Sequence, residues 1–180
     1  TLGIFHAPEI RAREDIDVDS AIEAIIGSDG LVRGVKVRMV GPAIGLLGIE
    51  LPRLAKEIAR GGGVPLMVHV GDYITSDPIA RELAPVLLNE ILTAGDIVTH
   101  TTSHQIGALL DADGTLFPEV RSARDRGVLF DTGVGMRNFT FKSARTVLDQ
   151  DFLPDTISSD LTVEGRDSPT HSLTECMNKY

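Results

Sequence analysis

The chain is poor in cysteine and has no long apolar run. The first absence excludes internal disulfides, and the second argues against a membrane-spanning segment. It has 180 residues and a single cysteine, Cys176. One thiol cannot form an internal disulfide, which favours a reducing compartment and predicts a cytoplasmic protein. No stretch approaches the roughly 18 to 20 consecutive apolar residues that cross a bilayer. The printed sequence therefore predicts no membrane anchor.

Basic residues are in deficit as well. Lys and Arg total 17 against 26 Asp and Glu, which gives a net charge of -9. This balance argues against a broad surface for nucleic acids or for anionic membranes. The hydrophobic fraction of 42% is high enough for a folded core, and we expect a single domain over residues 1–180. A site for a small-molecule substrate is the default expectation.

Apolar runs rich in β-branched residues alternate with helical patterns along the chain. The predicted strands cover residues 2–5, 34–40, 64–70, 96–99, 127–131 and 156–160. The predicted helices cover residues 17–26, 50–60, 77–92, 118–126 and 140–150, and three glycines at 61–63 are expected to end the second. This alternation predicts an α/β fold in which a parallel sheet is joined by crossover helices.

Six strand-and-helix units are fewer than the eight of a closed (β/α)8 barrel, which typically takes about 250 residues. The sequence opens at Thr1 just before a predicted strand, and a Ser172-x-x-Glu175 helix cap stands near its other end. We therefore expect an incomplete TIM-type barrel. Its open edges would invite pairing between copies, as in a homo-oligomer, or aggregation.

Four side chains that can bind metals stand at or near the ends of predicted strands: Lys36, His69, His100 and Asp160. Their spacings of 33, 31 and 60 residues correspond to one, one and two strand-plus-helix units. The ends of parallel strands share one face of the sheet, where a (β/α) enzyme has its active site. Imidazoles and a carboxylate suit a divalent ion that activates water.

Lys36 is the unusual member of this set, because an ammonium group repels a metal. It fits only if CO2 adds to its neutral amine and forms a carbamate, and we expect burial in an apolar strand to keep the amine neutral. Taken singly, each of the four residues has an ordinary structural interpretation, such as a core histidine, a paired lysine or a capping aspartate. Their joint register favours the metal site.

Three further residues are candidates for substrate binding. Arg38 points to the same side of its strand as Lys36, and Arg137 lies in the loop after the strand at 127–131, so either guanidinium could hold an anion. His104 follows the strand at 96–99 and could reach a substrate from its loop. A salt bridge for Arg38 and a solvent-facing position for the other two are the alternatives.

Five segments surround these residues: GVKVRM (34–39), LMVHVG (66–71), GDIVTH (95–100), FDTGVGMRNFTF (130–141) and LPDTISSDL (153–161). They resemble the amidohydrolase superfamily, and within it the dihydroorotase-like deacetylase branch. The resemblance spans nearly the whole chain, from near the family's third barrel strand to just beyond the eighth. It implies a (β/α)8 barrel with a binuclear zinc centre that hydrolyses an amide or ester.

The resemblance also implies a role for each of the four residues. Lys36 would be the carboxylated bridge between two metals, His69 and His100 would bind the second metal, and Asp160 would bind the first metal and act as the catalytic proton shuttle. The family also holds its first metal with a His-x-His pair on strand one, and the printed sequence has no such pair. Val134 stands where many relatives have a histidine. A non-catalytic barrel fragment is therefore one alternative.

A second alternative comes from residues 133–138, which read Gly-x-Gly-x-x-Asn between a strand and a helix. That setting is typical of a dinucleotide-binding loop, although Asn138 replaces the third glycine. On this interpretation the chain would be a doubly wound nucleotide-binding protein. The register of the four ligand-type residues favours the hydrolase.

Overall fold

A computed structural model describes residues 10–72, 78–167 and 170–180. In this part of the chain four strands form one sheet: β1 (Val35–Arg38), β2 (Leu66–His69), β3 (Ile97–Thr99) and β4 (Leu129–Asp131). The α-helices are α1 (Val18–Ile26), α2 (Ala43–Leu47), α3 (Glu50–Gly62), α4 (Pro78–Val86), α5 (Pro118–Asp125), α6 (Phe141–Leu148) and α7 (Leu173–Met177). A 3-10 turn at Arg13–Asp15 and a π-helical turn at Leu87–Ile91 complete the regular structure.

All neighbouring strands are parallel and follow one another in chain order. One row of the register joins Arg38, His69, Thr99 and Asp131, so the carboxyl ends of the four strands lie along one edge. The predicted parallel α/β fold is confirmed. A doubly wound sheet reverses its strand order at a switch point, and the four described strands show no reversal.

Two of the six predicted strands are not found as strands. The run at 2–5 lies outside the described residues. The run at 156–160 makes one isolated parallel bridge, between Thr156 and Asp131, so the prediction of a regular strand there is wrong. The reason lies in its partner, because the chain beyond β4 turns at Gly133, which has a φ of 49°, and cannot continue a regular ladder.

Two helix boundaries also differ from the prediction. Helix α3 passes through the first two glycines of residues 61–63 and ends at Gly63, which adopts the left-handed conformation with a φ of 67°. The predicted helix at 77–92 is divided into α4 and a π-helical turn. Pro85 lies just before this change, and proline has no N–H to donate to the helical ladder.

The core lies between the sheet and the helices that cross it. Val68 and Val98, at the centre of β2 and β3, are fully buried, and the rings of Phe130 and Phe152 meet edge to face with 5.0 Å between centroids. Burial of each such side chain contributes about 2 kcal/mol. The packed hydrophobic core therefore fixes the positions of the strand ends at the carboxyl edge of the sheet.

The structure also bears on the expected absence of a membrane anchor. Within residues 10–72, 78–167 and 170–180, every helix is too short or too polar to cross a bilayer.

Candidate functional site

Strands β2 and β3 each place one buried histidine at the carboxyl edge. His69 is the last residue of β2 and is 4% exposed, while His100 directly follows β3 and is 1% exposed. Their rings meet edge to face, with 4.1 Å between the centroids and 66° between the planes. Two of the four predicted ligands therefore lie in direct contact.

Backbone carbonyls fix one nitrogen of each ring. His100 Nδ1 lies 2.6 Å from the carbonyl oxygen of Gly133, and His69 Nε2 lies 3.2 Å from that of Gly71. A neutral His100 that donates from Nδ1 has its lone pair on Nε2. That Nε2 atom is buried and has no hydrogen-bond partner in the described part of the chain. A ring held in this way by a carbonyl is typical of a metal ligand.

Burial keeps both imidazoles neutral. Desolvation lowers the pKa of His69 to about 2, and the nearby positive charges of Arg38 and Lys36 act in the same direction. Desolvation also lowers the pKa of His100, although the negative charge of Asp160 opposes the shift. Neutral imidazole is the form that binds metal ions.

We expect the metal-free chain to lose stability in acid because of His69. Its folded-state pKa, about 2, lies below the ordinary value of 6.5, so the unfolded chain takes up the proton first as the pH falls. The stabilisation is complete above the unfolded pKa and is lost towards the folded pKa, at about 1.4 kcal/mol per pH unit. Urea titrations should show a loss of about 2 kcal/mol between pH 6.5 and pH 5.

The matched variants for this prediction are His69→Gln and His104→Gln, because His104 lies exposed in a loop. The first should reduce the dependence of the unfolding free energy on pH to the part that His100 contributes, and the second should leave it unchanged. Equal slopes in the two variants would contradict the assignment to His69.

Lys36 does not lie where the sequence interpretation placed it. It is on β1, the edge strand of the described sheet, and its side chain is exposed. The expectation that burial in its strand desolvates the amine is therefore wrong for this structure, because no described strand covers that edge. Lys36 is still near the imidazoles, since its charge contributes to lowering the pKa of both His69 and His100.

Asp160 lies in the segment that follows the bridge to β4. Its backbone has a φ of 47°, and its side chain is exposed. Its negative charge raises the pKa of His100, against the effect of burial, so the carboxylate lies within electrostatic range of the ring. Lys36 and Asp160, the other two predicted ligands, therefore lie near the histidine pair, because their charges shift the pKa values of its rings.

The described residues meet the needs of a metal ion only in part. Within residues 10–72, 78–167 and 170–180, no three His, Cys, Asp or Glu side chains are close enough together to hold one. The histidine pair, with its buried and unpaired Nε2 atom, nevertheless fits a divalent ion in donor chemistry. Lys36 and Asp160 would have to provide the remaining donors.

The loop after β4 packs closely against two of the predicted ligands. A Cβ atom added at Gly133 would lie 2.7 Å from His100 Nδ1, and one added at Gly135 would lie 2.7 Å from an Asp160 carboxylate oxygen. The sequence analysis considered these glycines as a nucleotide loop only in an alternative interpretation, and it did not predict their packing against His100 and Asp160. The available signal was their place directly after a strand end, where they must pass the ends of neighbouring strands.

Asp131, the last residue of β4, ties the site elements together and was also missed. Its buried carboxylate accepts hydrogen bonds from the hydroxyls of Thr99 at 2.6 Å, Thr156 at 2.8 Å and Ser158 at 2.7 Å. Thr99 is the residue before the second histidine, and the other two precede Asp160 in its segment. Asp131 therefore fixes the end of β3 against the segment that carries Asp160.

The three predicted substrate-binding residues lie in different settings. Arg38 is half-buried at the end of β1, and its charge lowers the pKa of His69. His104 and Arg137 lie in exposed loop positions. The Gln105 amide connects these loops, because it donates to the Arg137 carbonyl oxygen at 3.1 Å and lies 3.2 Å from His104 Nε2.

Sequence comparison finds relatives among bacterial deacetylases. Deacetylases of Brucella anthropi and Agrobacterium fabrum are each 32% identical to this chain over 175 residues, or 96% of its length. A deacetylase of Enterococcus faecalis is 31% identical over 183 residues. The chain spans 41%, 40% and 47% of these relatives, respectively. No family model matches the chain.

Solved structures give the same result. A dihydroorotase matches 97% of this chain with a TM-score of 0.80 and 33% identity, and an adenine deaminase matches 92% with a TM-score of 0.79 and 30% identity. The chain covers 43% and 44% of these two barrels, which confirms the prediction of an incomplete TIM-type barrel. The chain fits part of a dihydroorotase-like barrel of the amidohydrolase superfamily, as its sequence motifs predicted.

Proposed function

We propose that this chain forms part of the active site of a metal-dependent hydrolase that cleaves an acyl amide or ester bond of a small anionic molecule. The observation that carries the proposal is the buried pair of neutral imidazoles, His69 and His100, with one ring nitrogen unpaired in the described part of the chain. The names of the relatives, deacetylase and dihydroorotase, support a hydrolytic reaction of this type.

In this proposal His69 and His100 hold a divalent ion, for which zinc suits the ligand set. Lys36, as a carbamate formed with CO2, and Asp160 would supply the oxygen ligands. When bound, such an ion polarises the substrate carbonyl and lowers the pKa of a water molecule to about 7. The exposed amine of Lys36 is open to CO2, and the positive charge of a bound ion, in place of burial, would favour the neutral form that the carbamate requires.

Asp160 is the residue that we propose for proton transfer. In hydrolysis the oxygen of water adds to the acyl carbon, the bond to the leaving nitrogen or oxygen breaks, and the leaving atom receives the proton that water lost. A carboxylate beside the reacting water can accept that proton and pass it on. The bonds from Thr156 and Ser158 to Asp131 hold the segment in which Asp160 lies.

Arg38 supports an anionic substrate. It lies at the carboxyl edge, in register with His69, and its guanidinium can bind a carboxylate through two parallel hydrogen bonds. Arg137 and His104 lie in loops linked by Gln105, and we propose that they contact the distal part of the same substrate.

Metal analysis tests the proposal directly. After incubation with zinc and removal of the excess, the chain should retain a stoichiometric amount, and His100→Ala should weaken zinc affinity by roughly 100-fold. His104→Ala is the matched control and should retain zinc as the parent chain does. Native mass spectrometry should show a CO2 adduct that disappears in Lys36→Ala.

Two results would contradict this function. One is a chain that binds no zinc under these conditions, and the other is equal zinc affinity in His100→Ala and His104→Ala. Hydrolysis of an acetyl ester and of an N-acyl amino acid then tests the reaction. Asp160→Asn should abolish any hydrolysis while the ion held by the two histidines is retained.

A further inference from the structure

A cavity of about 480 Å³ is lined in part by the loop that follows His100. Three elements form its walls: α4, the loop segment at 103–114 and the beginning of α6. Its volume lies within the range of about 300 to 1,000 Å³ that is typical of small-molecule sites. Of the lining residues, the proposed hydrolase site uses only His104, as a contact to the distal part of its substrate.

The charges in this cavity are unbalanced. Arg81 from α4 and Lys142 from α6 line it, and neither forms an ion pair within the described residues. One acid, Asp111, also lines it, but its Oδ1 atom already accepts the backbone N–H groups of Asp113 at 2.8 Å and Thr115 at 2.9 Å. The cavity is therefore lined by two cations and by one carboxylate that already accepts two hydrogen bonds. This arrangement favours the binding of an anion.

The rest of the lining is apolar in part. Ile106 and Leu110 are half-buried and pack against the hydrophobic core with their inner faces. Their outer faces line the cavity, and burial of apolar ligand surface on them would be favourable by about 25 cal/mol per Å². A ligand that contacts both the cations and the apolar side chains would have an anionic group and a short apolar chain.

Neither histidine of the pair lines the cavity, but the loop that follows His100 forms one of its walls. Ser143, at the start of α6, donates to the carbonyl of Thr102 at 2.6 Å. The backbone N–H of Asp72 donates to the carbonyl of Ile106 at 2.7 Å, so the loop after β3 is fixed at both sides. These bonds fix the loop that forms this wall of the cavity.

We propose that this cavity is a binding site for a small amphipathic carboxylate. The carboxylate meets Arg81 and Lys142, and the apolar part lies against Ile106 and Leu110. The site binds its ligand whether or not a metal ion is present, because none of these four residues belongs to the predicted ligand set.

Titration of the metal-free chain with hexanoate tests the site. Amide resonances of Ile106, Leu110 and Lys142 should shift in a saturable way in nitrogen-15 NMR spectra, and hexylammonium should shift none of them. Arg81→Gln and Lys142→Gln should each weaken hexanoate binding by about tenfold, the effect of one hydrogen bond to a charged group. Arg60→Gln is the control, because Arg60 lines an open groove formed by other residues.

The inference is overturned if hexanoate produces no saturable shift, if hexylammonium binds equally well, or if the Arg81 and Lys142 variants bind hexanoate as the Arg60 variant does. The outcome is distinguishable from that of the metal experiment. A chain that binds hexanoate but no zinc retains this site and loses the proposed hydrolase function, and the opposite result retains the function and removes the site.

Discussion

Gly133→Ala is expected to lower the free energy of unfolding by about 3 kcal/mol and to displace the ring of His100. Gly133 has a φ of 49°, and an L side chain in this left-handed region costs about 1 to 2 kcal/mol. The added Cβ atom would also lie 2.7 Å from His100 Nδ1 and would press on the Thr99 hydroxyl. Overpacking of this kind costs a further 1 to 3 kcal/mol, roughly.

Substitutions at two other glycines separate the cost of the left-handed backbone from the cost of overpacking. Gly63 has a φ of 67° and open space around its missing Cβ, so Gly63→Ala should cost only about 1 kcal/mol. Gly45 lies within α2, also in open space and without a positive φ, and Gly45→Ala should stabilise the chain by about 0.5 to 1 kcal/mol. Urea unfolding measures all three.

A spectroscopic measurement then tests the effect on the site. In the parent chain, the ring nitrogens of His100 should show the tautomer with its proton on Nδ1, because the Gly133 carbonyl accepts from it at 2.6 Å. Gly133→Ala should change that pattern and Gly63→Ala should preserve it. If Gly133→Ala costs no more stability than Gly63→Ala, the close packing on His100 is not the cause.

The sheet could be predicted because its strands have a strong local signal. Residues 64–70 are almost entirely apolar, and a parallel strand that is covered on both faces requires that composition. The spacing of one strand-and-helix unit then predicts that His69 and His100 emerge on one edge, and the structure places their rings in contact. Periodicity cannot show how a strand pairs, and residues 156–160 form only an isolated bridge.

The parts of the site that were missed depend on tertiary contacts. Lys36 was expected to be buried because its neighbours in the strand are apolar, yet burial also depends on whether another strand covers the edge. The local sequence does not distinguish Gly133 from an ordinary turn glycine or Asp131 from an ordinary capping acid. It therefore could not show that both residues contact the ends of neighbouring strands. Their partners are separated from them by 25 or more residues of sequence.

Asp131→Ala is expected to have an effect of similar size, about 3 kcal/mol in the free energy of unfolding. The substitution leaves three hydroxyl donors without their acceptor: those of Thr99, Thr156 and Ser158. Each buried donor that loses its partner costs about 1 to 3 kcal/mol, and partial access to water reduces this for Thr156 and Ser158. Asp131→Asn keeps one acceptor oxygen and should cost less, about 2 kcal/mol.

We expect substitution of Asp131 to affect zinc binding as well as the free energy of unfolding. Without Asp131, the segment that carries Asp160 retains its bonds to Thr132 and to the loop after β4 but loses the two hydroxyl bonds to the Asp131 carboxylate. We therefore expect zinc affinity to fall by about 10-fold to 100-fold in Asp131→Asn, as it does when groups that orient metal ligands are removed. Isothermal titration of the chain with zinc measures this change.

Asp96→Asn is the matched control for this prediction. Asp96 is equally buried but lies just before β3, at the opposite edge of the sheet, where it accepts the backbone N–H of Leu66 at 2.9 Å and pairs with Lys56. Its substitution should destabilise the chain by a comparable amount and leave zinc affinity unchanged. If both aspartate variants lose zinc affinity equally, the loss follows from general destabilisation. In that case Asp131 does not orient His100 and Asp160, and the three hydroxyl bonds have only a structural role.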